Sequence, residues 1–315
     1  MSGTNGFVLV LSGGVGGAKL ALGLYRILPP GALTVVANTG DDFEHLGLSI
    51  SPDIDTLLYT LAGLDNPELG WGRRDETWTF MKALGDLGGE TWFNLGDGDL
   101  ATHVERSRRL AAGESLSQIT DDFRRRLGIS ARLLPMSDDR VRTRLRTAEG
   151  WLDFQDYFVR RRCAPVVREI TFASADKARP QPAFLAALAD QSLRAVVICP
   201  SNPFISIDPI LSLPGAREAL RACAAPVIAV SPIIGGKAVK GPTAKMMAEL
   251  GLPVDAAAVA WHYGDILDHY VADETDANEM GDLGVPVTLT RTLMVSLEDR
   301  EALARVVLEA AGRGF

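Results

Sequence analysis

The stretch FVLVLSGGVGGAKL, Phe7 to Leu20, constrains this chain more than any other. An apolar run breaks into a loop with four glycines, and helix-forming residues follow at once. That order is the first turn of a βα unit: a buried strand, a loop with free backbone, and a helix that starts without a spacer. The helix, through AKLALGLYRIL, is stopped by Pro29, Pro30 and Gly31. LTVVAN then supplies a second strand rich in β-branched residues. Short, uninterrupted apolar strands joined by a helix predict a mostly parallel sheet covered on both faces.

The same reading extends along the chain. AVVICPSNP and APVIAVSPIIGG are further buried strands that end in polar loops, and VAWHYGD and VPVTLTRT are weaker strand candidates. A helix starts near Pro52, DETWTFMKALGDLG is another, and SLEDREALARVVLEAAGRG is a terminal helix with Ser296 as its N-cap. Between them the composition changes. ATHVERSRRLAAGESLSQITDDFRRRLG is helical and heavily charged. RVRTRLRT alternates with period two, which puts Arg140, Arg142, Arg144 and Arg146 on one face of a strand, with WLDFQDYFV as its hairpin partner. The expected fold class is therefore α/β: a Rossmann-like, mostly parallel sheet flanked by helices, with an inserted helical and β-hairpin subdomain. Residues 1–99 and 176–315 are expected to form the core, and 100–175 the insertion.

The glycine loop matches neither familiar phosphate fingerprint. Lys19 follows Ala18 and precedes Leu20, so the Walker pattern fails; Gly14 and Gly16 fit GxGxxG, but Lys19 stands where its third glycine belongs. The physical logic survives, because glycines allow close backbone approach and a helix N-terminus offers free N–H groups to an anion. NTGDD ends the second strand, and Asp53 and Asp55 follow in the first turn of the next helix. Carboxylates at the carboxyl edge of a sheet, beside a phosphate loop, suit Mg²⁺, which takes few protein ligands and leaves room for substrate phosphates. LGDGDLATH adds Asp97, Asp99 and His103 as a calcium-like or catalytic loop, though the full EF-hand pattern is absent. Ser201, Asn202, Gly235, Gly236, Lys237 and Lys240 sit in loops expected on the same sheet edge.

Charge and cysteine content narrow the class. A net charge of −8 argues against nucleic-acid or anionic-membrane binding. The three cysteines form no CxxC pair, which fits a reducing cytoplasm rather than a zinc site or disulfide framework. No run is long and apolar enough to span a membrane, and the first strand lacks the flanks of a signal peptide.

SGGVGGAKL, NTGDD, SPDIDTLLYTLAG, LGDGDLATH, LPMSDD, FQDYFV, PSNPFISIDPIL and SPIIGGKAVKGP occur in this order between Val8 and about Asp273. As an ordered set they resemble the 2-phospho-L-lactate transferases, also called phosphoenolpyruvate transferases, of coenzyme F420 biosynthesis. The resemblance implies transfer of a phospholactyl or phosphoenolpyruvyl group from a guanosine diphosphate-linked three-carbon acid to the deazaflavin Fo, with GMP leaving and Mg²⁺ present. It implies Asp41 and Asp55 as metal ligands and Asp55 and Asn94 as Fo contacts. Ser12, Gly13, Gly14, Gly16, Gly17, Lys19, Ser201 and Asn202 would hold the nucleotide and its phosphates. The catalytic base is left open between Asp42 and Asp55. A cytoplasmic homodimer is expected. Two positions depart from the family pattern: Gly98 stands where a cation is expected, and Asp208 adds a negative charge where glycine is frequent. The alternatives are a non-catalytic nucleotide-sugar-binding regulator of related fold and an NAD dehydrogenase, the latter disfavoured by the failed GxGxxG.

Overall fold

A computed structural model describes residues 6–67 and 71–312. Seven strands form its main sheet: β1 (Phe7–Ser12), β2 (Leu33–Ala37), β3 (Arg132–Pro135), β4 (Leu193–Ile198), β5 (Val227–Val230), β6 (His269–Asp273) and β7 (Val287–Thr290). Their order is β7-β6-β5-β4-β1-β2-β3, and every pairing is parallel. The period of two along each strand divides the core between the two faces. Leu9, Leu11, Val196, Ile198 and Ala229 pack on one side; Val8, Val10, Val197, Ile228 and Val230 pack on the other. All ten are fully buried, so each Val, Leu or Ile side chain contributes about 1.5–3 kcal/mol relative to exposure.

This topology determines where a ligand can sit. The chain builds outward from β1 through β2 to β3, then returns to place β4 on the other side of β1. The crevice at such a switch point opens at the carboxyl ends of the strands. The loops after β1 and β4 flank it.

Helix α1 (Gly14–Ile27) follows β1 directly. After β2 the chain makes a small antiparallel hairpin, Phe43–His45 with Leu48–Ile50, turned by Leu46 and Gly47 at positive φ. Helix α2 (Pro52–Leu61) then begins with proline at its first position and Asp53 and Asp55 in its first turn. Helices α3 (Thr79–Asp86), α4 (Asp97–Ala111) and α5 (Leu116–Arg126) complete this flank. The terminal helix Leu297–Ala310 is capped by Ser296 in a reciprocal box with Asp299.

Several expectations need correction. VAWHYGD is helix, Ala256–Tyr263, because Asp255 caps it and its alanines favour helix over strand. The edge strand β3 comes from within the 100–175 range yet belongs to the main sheet. The arginine-rich strand is Arg142–Thr147, which leaves Arg140 outside; Thr143, Leu145 and Thr147 are buried, Arg144 and Arg146 reach outward, and Arg142 is half-buried near Asp42. Its hairpin partner is only Gly150–Asp153, and Glu169–Ala173 completes a three-stranded sheet. From Phe154 the chain coils instead, with Phe154 stacked on Phe158 at 5.3 Å. No helix is long and apolar enough to cross a membrane among the described residues.

Candidate active site

A cleft of about 670 Å³ opens at the switch point. It receives the β1–α1 loop, the loops after β2, β4, β5 and β7, the start of α2, and Phe154, Gln155 and Phe158. Of the residues expected from sequence, Gly13, Gly14, Gly16, Lys19, Asp41, Asp55, Asn94, Ser201 and Asn202 line it. Asp53, Asp99, His103 and Lys240 do so as well.

One wall is backbone and lysine. Gly14 adopts φ +66°, which turns the strand into the helix. A Cβ at Gly17 would overlap the hydroxyls of Ser12 and Ser201, so glycine there lets α1 sit against the β4 loop. Ser201 clamps the two loops: its hydroxyl donates to the Gly13 carbonyl at 2.7 Å and accepts from the Gly13 N–H at 3.2 Å. Lys19 donates to the Met294 carbonyl at 2.8 Å, and burial, with Arg300 and Lys240 nearby, lowers its pKa. Lys19 and Lys240 are the only lysines or arginines lining the cleft among the described residues.

The opposite wall is acidic, and its four carboxylates differ in how their oxygens are satisfied. Asp53 accepts from the Gly14 N–H at 2.7 Å and from Asn38 Nδ2 at 2.9 Å. The first free N–H of α1 is thus taken by a carboxylate of the protein itself. Asp55 is held by Arg106: Nη1 donates to Oδ2 at 3.0 Å and Nη2 to Oδ1. Asp99 accepts from Tyr59 Oη at 2.6 Å, and its other oxygen stands 3.1 Å from His103 Nε2. Only Asp41 differs. Its Oδ1 is buried with no hydrogen-bond partner among the described residues, although Asn38 and Thr143 are close enough to lower its pKa.

The electrostatics follow this division. Burial, and then the neighbouring Asp53, hold Asp41 well above the usual carboxylate range. Burial raises Asp53 to about 6 against the Gly14 and Asn38 hydrogen bonds. Burial also opposes ionisation of Asp99, but His103, Tyr59 and Arg106 outweigh it and keep its pKa low.

Other expected residues lie elsewhere. Ser12 is fully buried behind the loop, with Gly17 against it, so neither reaches the cleft. Asp42 is also behind the wall, accepting from Ser51 Oγ at 2.8 Å; burial lifts its pKa to about 7 against Arg142 and Ser51. Asn202 lines the cleft, but its carbonyl oxygen caps the Phe204 and Ile205 N–H groups. Asp97 caps α3 through the N–H groups of Thr79 and Phe80. Gly235, Gly236 and Lys237 fall outside the lining. Asp208 is also outside it, with both oxygens within 2.9 Å of His262 Nε2, so it adds no unpaired charge to the cleft. At Gly98 the carbonyl accepts from Arg73 at 3.3 Å, but Arg73 does not line the cleft.

Sequence reading missed Arg106, Tyr59, Asn38 and Gln155. The signal for the first two was helical spacing. Asp99, His103 and Arg106 recur at i, i+4 and i+7 on α4, and Asp55 and Tyr59 at i, i+4 on α2, so each set faces the other helix. Gln155 donates to the Asp41 carbonyl at 3.3 Å, a long-range contact with no local signature.

Comparison with known proteins agrees with this architecture. Residues 8–293 match the family model described as 2-phospho-L-lactate transferase CofD. A phosphoenolpyruvate transferase of Kitasatospora aureofaciens is 41% identical over 314 residues, covering 96% of this chain and 97% of its own length. A 2-phospho-L-lactate transferase of Methanosarcina mazei is 41% identical over 306 residues, covering 96% and 100%. A Bacillus halodurans protein of the UPF0052 family shares the fold alone: its crystal structure superposes with a TM-score of 0.66 at 14% identity, over 96% of this chain and 98% of its own.

Proposed function

This chain belongs to the 2-phospho-L-lactate transferase family and is a transferase enzyme, and on that premise we propose that it joins a phospholactyl or phosphoenolpyruvyl group to the deazaflavin Fo. The donor is a guanosine diphosphate carrying lactate or enolpyruvate. The terminal ribityl hydroxyl oxygen of Fo bonds to the phosphorus that bears the three-carbon acid. The bond from that phosphorus to the GMP phosphate oxygen breaks, GMP leaves with its electron pair, and the hydroxyl proton passes to water. The product is the phosphodiester F420-0 or its dehydro form. The reading includes a cytoplasmic homodimer.

One observation carries the assignment: a carboxylate with an unused buried oxygen, Asp41, lines the same cleft as the N-terminus of a helix that follows a glycine loop. Phosphoryl-type transfer depends on positioning and charge neutralisation more than on covalent catalysis. The helix start at Val15 and Gly16, with Lys19 and Lys240, supports binding of the donor's anionic end. Trp92, Phe154 and Phe158 offer flat apolar surface to the deazaflavin ring. Asp55, with each oxygen already accepting from Arg106, retains lone pairs for a hydroxyl and orients it. It is poorly suited to take the proton away. Asp42, the other candidate base, is behind the wall.

The residues fit Mg²⁺ in part. Asp41 offers an unpartnered oxygen, whereas the oxygens of Asp55 face a guanidinium, which disfavours a second cation there. Asp41 would therefore hold the ion, with substrate phosphates and water completing the shell. When bound, Mg²⁺ neutralises charge on the diphosphate.

The test is incubation of the protein with Fo, Mg²⁺ and lactyl- or enolpyruvyl-diphosphoguanosine, read by mass spectrometry. A phosphodiester of Fo together with GMP is expected from one donor. Absence of that product with both donors refutes the reading.

A further inference from the structure

Arg106 is 1% exposed and among the largest fully buried side chains of the protein. It projects from α4 toward α2, and most of its contacts concern one carboxylate. Both terminal nitrogens donate to Asp55, one to each oxygen. Nη1 also reaches the Ser49 carbonyl at 3.4 Å and His103 Nδ1 at 3.3 Å. Nε has no partner. A buried guanidinium with an orphaned N–H is a poor stabilising device, because desolvation of the pair offsets much of its attraction and well-packed apolar residues would serve stability as well. Its forked geometry does something those residues cannot: it locks a carboxylate plane in one orientation. The locked group lines the cleft, and its Oδ2 stands 3.6 Å from His103 Nδ1, beside the Tyr59–Asp99 pair.

We propose that Arg106 is a positioning residue that fixes the Asp55 carboxylate as a hydrogen-bond acceptor for the acceptor hydroxyl, without itself touching substrate. The inference rests on the Fo reading above for the identity of the acceptor. It assigns the orientation of the acceptor hydroxyl to a helix–helix seam and separates it from donor binding on the glycine wall.

A double-mutant cycle on substrate binding tests it. Dissociation constants for Fo and, separately, for GDP are measured on the parent, Asp55→Asn, Arg106→Gln and the double variant, with melting temperatures alongside. Arg106→Gln is expected to weaken Fo binding about 10- to 100-fold. In the Asp55→Asn background the same change should have little further effect, because the two residues act as one unit. GDP affinity should stay within about twofold throughout, which a general loss of fold would not allow. Arg106→Lys keeps the charge and loses the fork. It should restore the melting temperature more than it restores Fo affinity.

Additive losses in the cycle, equal loss of GDP affinity, or Arg106→Lys with parental Fo binding would each overturn the proposal. Where Arg106→Gln alone does not fold, the double variant against Asp55→Asn, together with Arg106→Lys, decides it, since the double variant has no buried carboxylate at that position and the lysine variant keeps a cation beside it. A parent that fails to bind Fo refutes the functional reading instead, and that outcome is distinct from a parent that binds Fo and variants that bind it equally well.

Discussion

The two walls of the cleft solve opposite problems. The glycine wall is made of backbone that has been kept bare: Gly17 admits two serine hydroxyls where a side chain would clash, and Ser201 ties the loop to its neighbour across the switch point. The acidic wall is made of side chains that have been restrained. Asp53 and Asp55 have both oxygens hydrogen-bonded, by a helix N-terminus with Asn38 and by an arginine, and Asp99 has one bonded to Tyr59 and the other beside His103. One wall brings a helix start and two lysines to the cleft, although Ser201 and Asp53 already take the Gly13 and Gly14 N–H groups. The other commits nearly all its charge internally and leaves Asp41 alone with an unused oxygen. An acidic cluster in a sequence therefore says little about how many of its members face a ligand.

The sharpest way to break this contrast is to remove the uncommitted carboxylate. Asp41→Asn should lower turnover by about 10³-fold or more and abolish its dependence on Mg²⁺, measured by titrating the metal in a product assay. If Asp41→Asn is near-normal while Asp53→Asn is dead, the accounting of oxygens is wrong.

A smaller effect is expected on the bare wall. Gly17→Ala forces a methyl against Ser12 and Ser201 and should destabilise the fold by about 1–3 kcal/mol. A thermal melt measures this, and a matching rise in donor KM would place the strain at the phosphate side. No loss of stability would mean the loop yields freely.

Asp42 sharpens the comparison through pH. Its folded pKa is raised from 3.8 to about 7, so the native state holds a proton that the unfolded chain releases. Its contribution to stability is therefore present at low pH and lost as pH rises from about 4 to 7. Asp42→Asn should raise the melting temperature at pH 8, by an amount on the order of 1 kcal/mol in stability after relaxation, and should have little effect near pH 4. Equal effects at both pH values would contradict the buried, protonated state.

The mildest change is Lys240→Ala. An exposed cation at the cleft rim should raise donor KM about three- to tenfold, with Fo affinity unchanged, and the effect should shrink in added salt.

Much of this molecule was legible in its sequence. The strand–glycine–helix order located the switch point, because β1 and α1 are local and their apolar pattern is continuous. The first-turn position of Asp53 and Asp55 followed from Pro52. What could not be read was partnership across the chain. Arg106 lies 51 residues from Asp55, and Gln155 lies 114 from Asp41. Local patterning is blind to which carboxylate a distant guanidinium will reach, so it cannot separate Asp41 from Asp55. Asp42 misled for the same reason: it sits beside Asp41 in sequence, but the chain turns there, with the Asp42 N–H donating to the Thr39 carbonyl, and only Asp41 lines the cleft.

The most direct measurement is a crystal structure of the protein soaked with Fo and GDP together. The diphosphate is expected at the Val15–Gly16 helix start near Lys19 and Lys240, the deazaflavin ring against Trp92 and Phe158, and the terminal ribityl hydroxyl on Asp55. A diphosphate on the acidic wall, or an Fo hydroxyl remote from Asp55, would contradict this placement.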